Sequence, residues 1–441
     1  MENKKNMRNW LNDFELDHPL VIGGPCSAET EEQVLKVANQ LKDSDVSVYR
    51  AGIWKPRTRP GMFEGVGAIG LNWLKKVKEQ TGLLTATEVA NKDHVKLAIE
   101  NLSNSKKAKK ILLINAGNAN AATGPKGLKD VRKYCKEIAL DFKTSQENVI
   151  PFSTGVIGEP LATENYLSAF REASKSLSEN KWKKAAEAIL TTDTKPKIIS
   201  KEVKVGKTSY FVTGFAKGSG MIRPDFATLL SFVFIDAKLT QKSLNNIHAN
   251  ALKVSFEAIT VDGDTSPNDS SLLVANGNKE KSIKVGSVEE KRLSNAITEI
   301  FKDLSELLVE DAEGATKKIK IKIGKAKNTE QAKSVAFSIA ESPLVKTAMF
   351  GSDANWGRIL SAIGRNKDID RIDKVKIQLN GQPLVKQGYK DAKYSEKHAS
   401  KEMKKKEILI EVSLGLGEKG FEVMTSDLSE DYVLINSDYR S

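Results

Sequence analysis

The sequence predicts a mixed α/β fold, and three observations carry that prediction. Between residues 19 and 100, short apolar or β-branched runs alternate with amphipathic stretches. Compact apolar runs such as Lys110-Ile-Leu-Leu-Ile-Asn115 end in turn-rich polar strings. In Lys317-Lys-Ile-Lys-Ile-Lys322, lysine alternates with isoleucine, the pattern of a strand with one wet face. Strands separated by helices imply parallel pairing through βα crossovers, at least at the start of the chain.

The first of these elements is Leu20-Val-Ile-Gly, a buried strand, followed by an amphipathic helix over 29–41. Val46-Ser-Val-Tyr-Arg50 is the second strand, 69–79 a helix, Leu83-Leu-Thr-Ala-Thr the third strand, and 93–100 opens a third helix. In a parallel βα arrangement, ligand groups gather at the strand carboxyl ends. Here those ends carry Gly24-Pro25-Cys26-Ser27 and the basic string from Arg50 through Lys55, Arg57 and Thr58.

From residue 101 the pattern changes. The strand ending at Asn115 runs into Ala-Gly117-Asn118-Ala-Asn120, and 127–140 reads as a helix. Val149-Ile-Pro-Phe-Ser153 is a strand that enters Thr154-Gly155-Val-Ile-Gly158. A single long amphipathic helix is expected over 164–188, delivering the polar string Thr191-Thr192-Asp193-Thr194. The dense polar loop Asp262-Gly-Asp264-Thr265-Ser266-Pro-Asn268-Asp269 lacks the downstream spacing of a calcium loop and reads as a turn.

Composition sets the outer bounds. The chain has 441 residues, 39% hydrophobic and 29% charged, with room for two or three cores. No apolar run approaches the ~18–20 residues that span a bilayer, and the first residues lack a signal-peptide pattern, so a cytoplasmic location is expected. Two cysteines, Cys26 and Cys135, are too few for a disulfide framework, and the four histidines have no paired ligand spacing. The net charge of +12 falls in short lysine clusters without interleaved aromatics, which argues against nucleic acid.

The strongest chemical signal is Lys217-Gly-Ser-Gly-Met-Ile-Arg-Pro-Asp-Phe-Ala227-Thr228-Leu-Leu. A threonine hydroxyl attacks poorly without a base, and no histidine or lysine neighbours Thr228 in sequence. If the Ala227–Thr228 bond were broken, the new α-amine, titrating near ~7.7–8.0, would serve as that base. Read from the residues alone, the string is equally a glycine-rich turn entering a buried element. Likewise Ser153-Thr154-Gly155 is either a tight turn or a hydroxyl and an amide placed for an oxyanion, and Thr191 to Thr194 either caps turns or touches substrate.

Five strings in order resemble the ornithine acetyltransferase family, the glutamate N-acetyltransferases. They are the Asn-Ala-Gly-Asn string at 115–118, the Ser-Thr-Gly-Val-Ile-Gly string at 153–158, the glycine-rich turn before Thr228, Lys346-Thr-Ala-Met-Phe350-Gly351-Ser-Asp353-Ala-Asn355-Trp356-Gly357-Arg358, and the terminal Asn436-Ser-Asp-Tyr-Arg-Ser441. The resemblance implies an α/β sandwich over about 101–441, cut at Ala227–Thr228 into pieces 101–227 and 228–441. It implies Thr228 as nucleophile, Thr154 and Gly155 as oxyanion donors, and Thr191, Lys217, Thr228, Glu313, Asn436 and Ser441 as substrate contacts. The implied reaction carries acetyl from N-acetylornithine to glutamate, with acetyl-CoA as another candidate donor. It needs no metal or cofactor, and the cleaved pieces are expected to form a heterotetramer.

Residues 1–100 resemble instead the start of the DAHP synthase family, a partial βα-barrel segment. There Cys26 would be a metal ligand, and Arg50, Lys55, Arg57 and Thr58 substrate contacts. This leaves a truncated aldol enzyme, or an inactive fusion of the two, as alternatives.

Overall fold

A computed structural model of the chain describes residues 21–25, 28–44, 46–52, 66, 69–86, 93–104, 109–223, 229–279 and 282–437. The chain divides into two compact units, Met1–Asn91 and Lys92–Ser441. The fold is mixed α/β, as the alternating patterns require. No helix among the described residues is long and apolar enough to cross a membrane.

The first unit contains β1 (Val21–Gly23), α1 (Glu31–Leu41), β2 (Val46–Arg50), α2 (Ile69–Thr81) and β3 (Leu84–Ala86). Its sheet has the order β1-β2-β3, with both pairings parallel. Helix α1 starts where the Thr30 hydroxyl accepts the Gln33 N–H at 3.1 Å. Its apolar stripe, Val34 and Ala38, joins Tyr49 of β2 and Leu74 and Val77 of α2 in one core. Gly24, at φ +145°, lets β1 end close to β2, since a Cβ there would fall 2.1 Å from the Arg50 carbonyl oxygen. Of the residues read here as ligand contacts, Arg50 ends β2, whereas Cys26, Lys55, Arg57 and Thr58 lie outside the described residues.

The second unit opens with α3 (Asp93–Asn104), β4 (Ile111–Asn115), α4 (Gly124–Asp141) and β5 (Val149–Ser153), then α5 (Thr163–Lys175) and α6 (Trp182–Ala188). The single helix expected over 164–188 is therefore two. The break falls at Ser176, because the Ser174 and Ser176 hydroxyls donate back to the Arg171 and Ala173 carbonyls, and the Lys181 ammonium takes the Ser176 carbonyl. Strands β4 and β5 pair in parallel, Asn115 opposite Ser153. Cys135, on α4, is buried as a free thiol whose pKa burial pushes up to about 12.

Strands β6 (Lys197–Val205), β7 (Thr208–Lys217), β8 (Leu230–Ile235) and β9 (Ser270–Ala275) form a second sheet in that order, with α7 (Gln241–Lys253) and α8 (Val288–Glu310). The β8–β9 pairing is parallel and the others antiparallel. One core joins α7 and α8 to this sheet through residues such as Ile247, Ile300, Leu304, Val212 and Val233. A separate cluster joins β5 to β7 and β8, where Phe152 meets Phe232 edge-on at 5.0 Å.

The remaining elements are β10 (Lys318–Ala326), α9 (Thr329–Ala340), α10 (Pro343–Phe350), α11 (Trp356–Gly364), β11 (Lys376–Leu379), β12 (Gln382–Lys386), β13 (Tyr389–Lys390), α12 (Glu396–Met403), β14 (Glu407–Ser413), β15 (Lys419–Ser426) and α13 (Glu430–Ser437). The sheet order is β13-β12-β11-β14-β10-β15, and only β10–β14 is parallel. In β10, Ile319, Ile321 and Ile323 are buried while the intervening lysines keep the wetter face, as the alternation predicts.

Candidate active site

A cavity of about 270 Å³ lies where β5 and β7 end and β8 begins. Its wall includes Thr154, Gly155, Thr191, Lys217, Glu313 and Asn436. Six residues singled out in the sequence, from 154 to 436, thus share one site. Leu229 and Leu230, the first described residues after the glycine-rich turn, line the same cavity. Ala227, Thr228 and Ser441 lie outside the described residues.

Lys217 is the last residue of β7, and its ammonium donates to the Thr191 hydroxyl oxygen at 2.6 Å and to the Thr154 hydroxyl oxygen at 3.2 Å. Because an ammonium only donates, both hydroxyl protons point away from the lysine. Burial lowers the Lys217 pKa, opposed chiefly by the Asp193 carboxylate 3.7 Å away. The site therefore holds a cation that an incoming carboxylate would stabilise.

Gly155 could not be another residue. Its φ is +124°, and a Cβ would lie 2.3 Å from the Gly117 carbonyl carbon. The Asn-Ala-Gly-Asn and Ser-Thr-Gly strings meet here: the Thr154 N–H donates to the Asn115 carbonyl at 3.0 Å and the Val156 N–H to the Gly117 carbonyl at 3.2 Å. The Gly155 N–H between them takes no partner among the described residues. It follows directly on Thr154, and both residues line the cavity.

Asp193 holds the back of the cation site. Its fully buried carboxylate accepts the Gly218 N–H at 2.7 Å and the Lys197 ammonium at 2.6 Å. Burial alone would raise its pKa, but Lys217, Lys197 and the Gly218 N–H outweigh that and hold it below the usual carboxylate value. Lys197 also donates to Asp311, which accepts the Thr194 N–H at 3.1 Å and the Thr194 hydroxyl. Nothing in the sequence marks Lys197 and Asp311, since a lone lysine at a strand start and one acid among several have no pattern.

The cavity wall also carries an acid. Glu313 accepts from the Asn436 amide at 2.8 Å, and its own N–H donates to the Ser219 carbonyl at 2.9 Å. Gly220 packs against this carboxylate so closely that a Cβ would fall 2.3 Å from Glu313 Oε2. The turn is pinned again by Asp262, which accepts the Met221 N–H at 2.6 Å and the Ile222 N–H at 3.0 Å. The polar loop read as a plain turn thus supplies the brace of the glycine-rich segment. Among the described residues no group of three histidines, cysteines or acids is arranged to hold a metal ion.

The cavity wall thus sets a hydroxyl beside a backbone N–H, with a buried ammonium and a carboxylate, groups of the kind an acyltransferase uses. Residues 69–441 match the model of the ArgJ family. The chain is 44% identical over 339 residues to the arginine biosynthesis bifunctional protein ArgJ of Methylococcus capsulatus, covering 76% of this chain and 83% of that protein. It is 42% identical over 342 residues to the protein of the same name from Psychrobacter arcticus, covering 76% and 84%. The chain belongs to the ArgJ family, acyltransferases of arginine biosynthesis. The crystal structure of the ArgJ protein of Bacillus halodurans is 34% identical, with a TM-score of 0.46, covering 48% of this chain and 99% of that one. A second family model, that of the DAHP synthetase I family, matches residues 15–105. The two matches share residues 69–105, and the boundary between the compact units falls within that stretch.

Proposed function

We propose that this chain is a self-cleaving N-acetyltransferase that moves acetyl from N-acetylornithine to glutamate through an acetyl-threonine. The Thr228 hydroxyl attacks the Ala227 carbonyl, the peptide rearranges to an ester, and water releases a fragment ending at Ala227. The freed α-amine of Thr228 then takes the proton from its own hydroxyl, which attacks the acetyl carbonyl of N-acetylornithine. The Thr154 hydroxyl and the Gly155 N–H hold the oxyanion, ornithine leaves, and the glutamate amine collects the acetyl group. Lys217 with Thr191 binds the substrate carboxylate, Glu313 the ammonium, and Asn436 and Ser441 complete the contacts.

The observation that carries this reading is the convergence of Thr154, Gly155, Thr191, Lys217, Glu313 and Asn436 on one cavity beside Leu229, the residue that follows Thr228. Acetyl-CoA as a further donor, a heterotetramer of two copies of each piece, and a cytoplasmic location complete the proposal. Denaturing electrophoresis with intact-mass analysis tests it. The purified protein is expected to give fragments ending at Ala227 and starting at Thr228, and Thr228→Ala to stay whole. A single uncleaved species of 48.4 kDa over days, with no acetyl transfer, would overturn it.

A further inference from the structure

The same cavity contains a polar atom that the proposed chemistry has not used. Asn268, just before β9, is 6% exposed and lines the wall with Thr154, Gly155 and Lys217. Its side-chain Nδ2 donates to the Ser153 hydroxyl oxygen at 2.7 Å, and its Oδ1, buried, accepts from nothing among the described residues. A buried carbonyl oxygen left without a donor is costly, and such an atom at a pocket wall calls for a ligand that supplies one.

The tether decides which ligand group that is. Ser153 also accepts the Asn120 N–H at 3.0 Å and immediately precedes the two oxyanion donors, so the Asn268 amide is fixed to the strand end that carries them. A substrate carbonyl seated on Thr154 and Gly155 carries its amide nitrogen on the same carbon, and a secondary amide has one N–H to give. An ammonium is better served by the Glu313 carboxylate, which lines the same cavity. A neutral acceptor suits a neutral donor.

We propose that Asn268 Oδ1 accepts the N–H of the scissile amide and so selects a secondary-amide acyl donor over its oxygen-ester isostere. This rests on the acyl-transfer reading above. An ester puts an oxygen where the N–H would be, facing one lone-pair atom with another. Sites built to hydrogen-bond a substrate group reject analogues lacking it far more strongly than apolar pockets reject a methylene.

The test compares N-acetylornithine with its ester isostere, in which oxygen replaces the amide N–H. Asn268→Ala is expected to lower kcat/KM for the amide about 10–100-fold and to change that for the ester by less than about 3-fold. Equal losses on both donors, or no loss on the amide, would overturn the inference. A second measurement needs no variant. In the unaltered protein the ester should compete with N-acetylornithine at least about 10-fold more weakly than N-acetylornithine itself binds, and equal competition would also overturn it. Transfer that ignores the N–H sinks this inference alone, whereas no transfer from either donor sinks the acyl-transfer reading with it.

Discussion

The Lys217 ammonium donates to the Thr191 hydroxyl across 2.6 Å, and that bond joins two segments of the cavity wall. It fixes the end of β7 against the polar string after α6, and it aims the threonine proton away from the lysine. Two segments that are unremarkable apart become one wall of the cavity.

Lys217→Met should raise KM for the carboxylate substrates by about 10–100-fold, the equivalent of one charge-assisted hydrogen bond. Because burial lowers the ammonium below its ordinary 10.5, the wild-type protein should lose affinity for anionic substrate at an alkaline pH below that value. Steady-state kinetics across pH measure both. The alkaline limb should vanish in the variant, and an unchanged limb would assign it to another group.

Asp193→Asn leaves the buried Lys197 ammonium with Asp311 as its one charged partner among the described residues, and should destabilise the fold by about 3–5 kcal/mol. The Asp193 carboxyl sits below its unfolded value, so its contribution is present above that value and is lost as pH falls through the folded one. Urea unfolding should therefore show the wild-type protein weakening in acid more steeply than the variant. Parallel acid profiles would contradict this.

Thr154→Val keeps the volume and removes the hydroxyl. It should leave the melting temperature within a few degrees while lowering acetyl transfer about 10²–10³-fold. Gly155→Ala should cost both stability and transfer, since its Cβ would strike the Gly117 backbone at a φ of +124°. Calorimetry beside an activity assay separates the two, and a stable, active Gly155→Ala protein would refute the geometry.

Lys346, 3% exposed, donates to the Thr425 hydroxyl at 3.0 Å and to the Ser426 carbonyl, and burial brings its pKa down to about 8. Between pH 8 and 10.5 the unfolded chain holds the proton that the folded one has released, so stability rises with pH there. Relative to Lys346→Met, the wild-type protein should gain roughly 2–3 kcal/mol over that range. A constant difference between the two would show that this lysine does not titrate there.

The sequence made the local elements legible wherever one period dominated. The Lys-Ile alternation of β10 and the helix over 29–41 were readable because burial on one face sets the pattern directly. The helix pair α5 and α6 was not, because its break comes from serine hydroxyls competing for backbone carbonyls, which leaves the amphipathic period intact across the gap. In the site, glycines and threonines in distinctive strings gave the front wall. Asp262, Lys197 and Asn268 act through partners 40, 114 and 115 residues away, and single polar residues carry no trace of such pairings.

The four-stranded sheet gives the proposed cleavage an unusual outcome. Strands β6 and β7 precede residue 228 and β8 and β9 follow it, yet Lys217 pairs with Leu230 in one ladder, and Tyr210 and Val212 share a core with Val233 and Leu273. Cutting the chain there would make a split protein whose halves stay interlocked through a common sheet. Neither half, produced alone, should be soluble, and parting them after the cut should require denaturant.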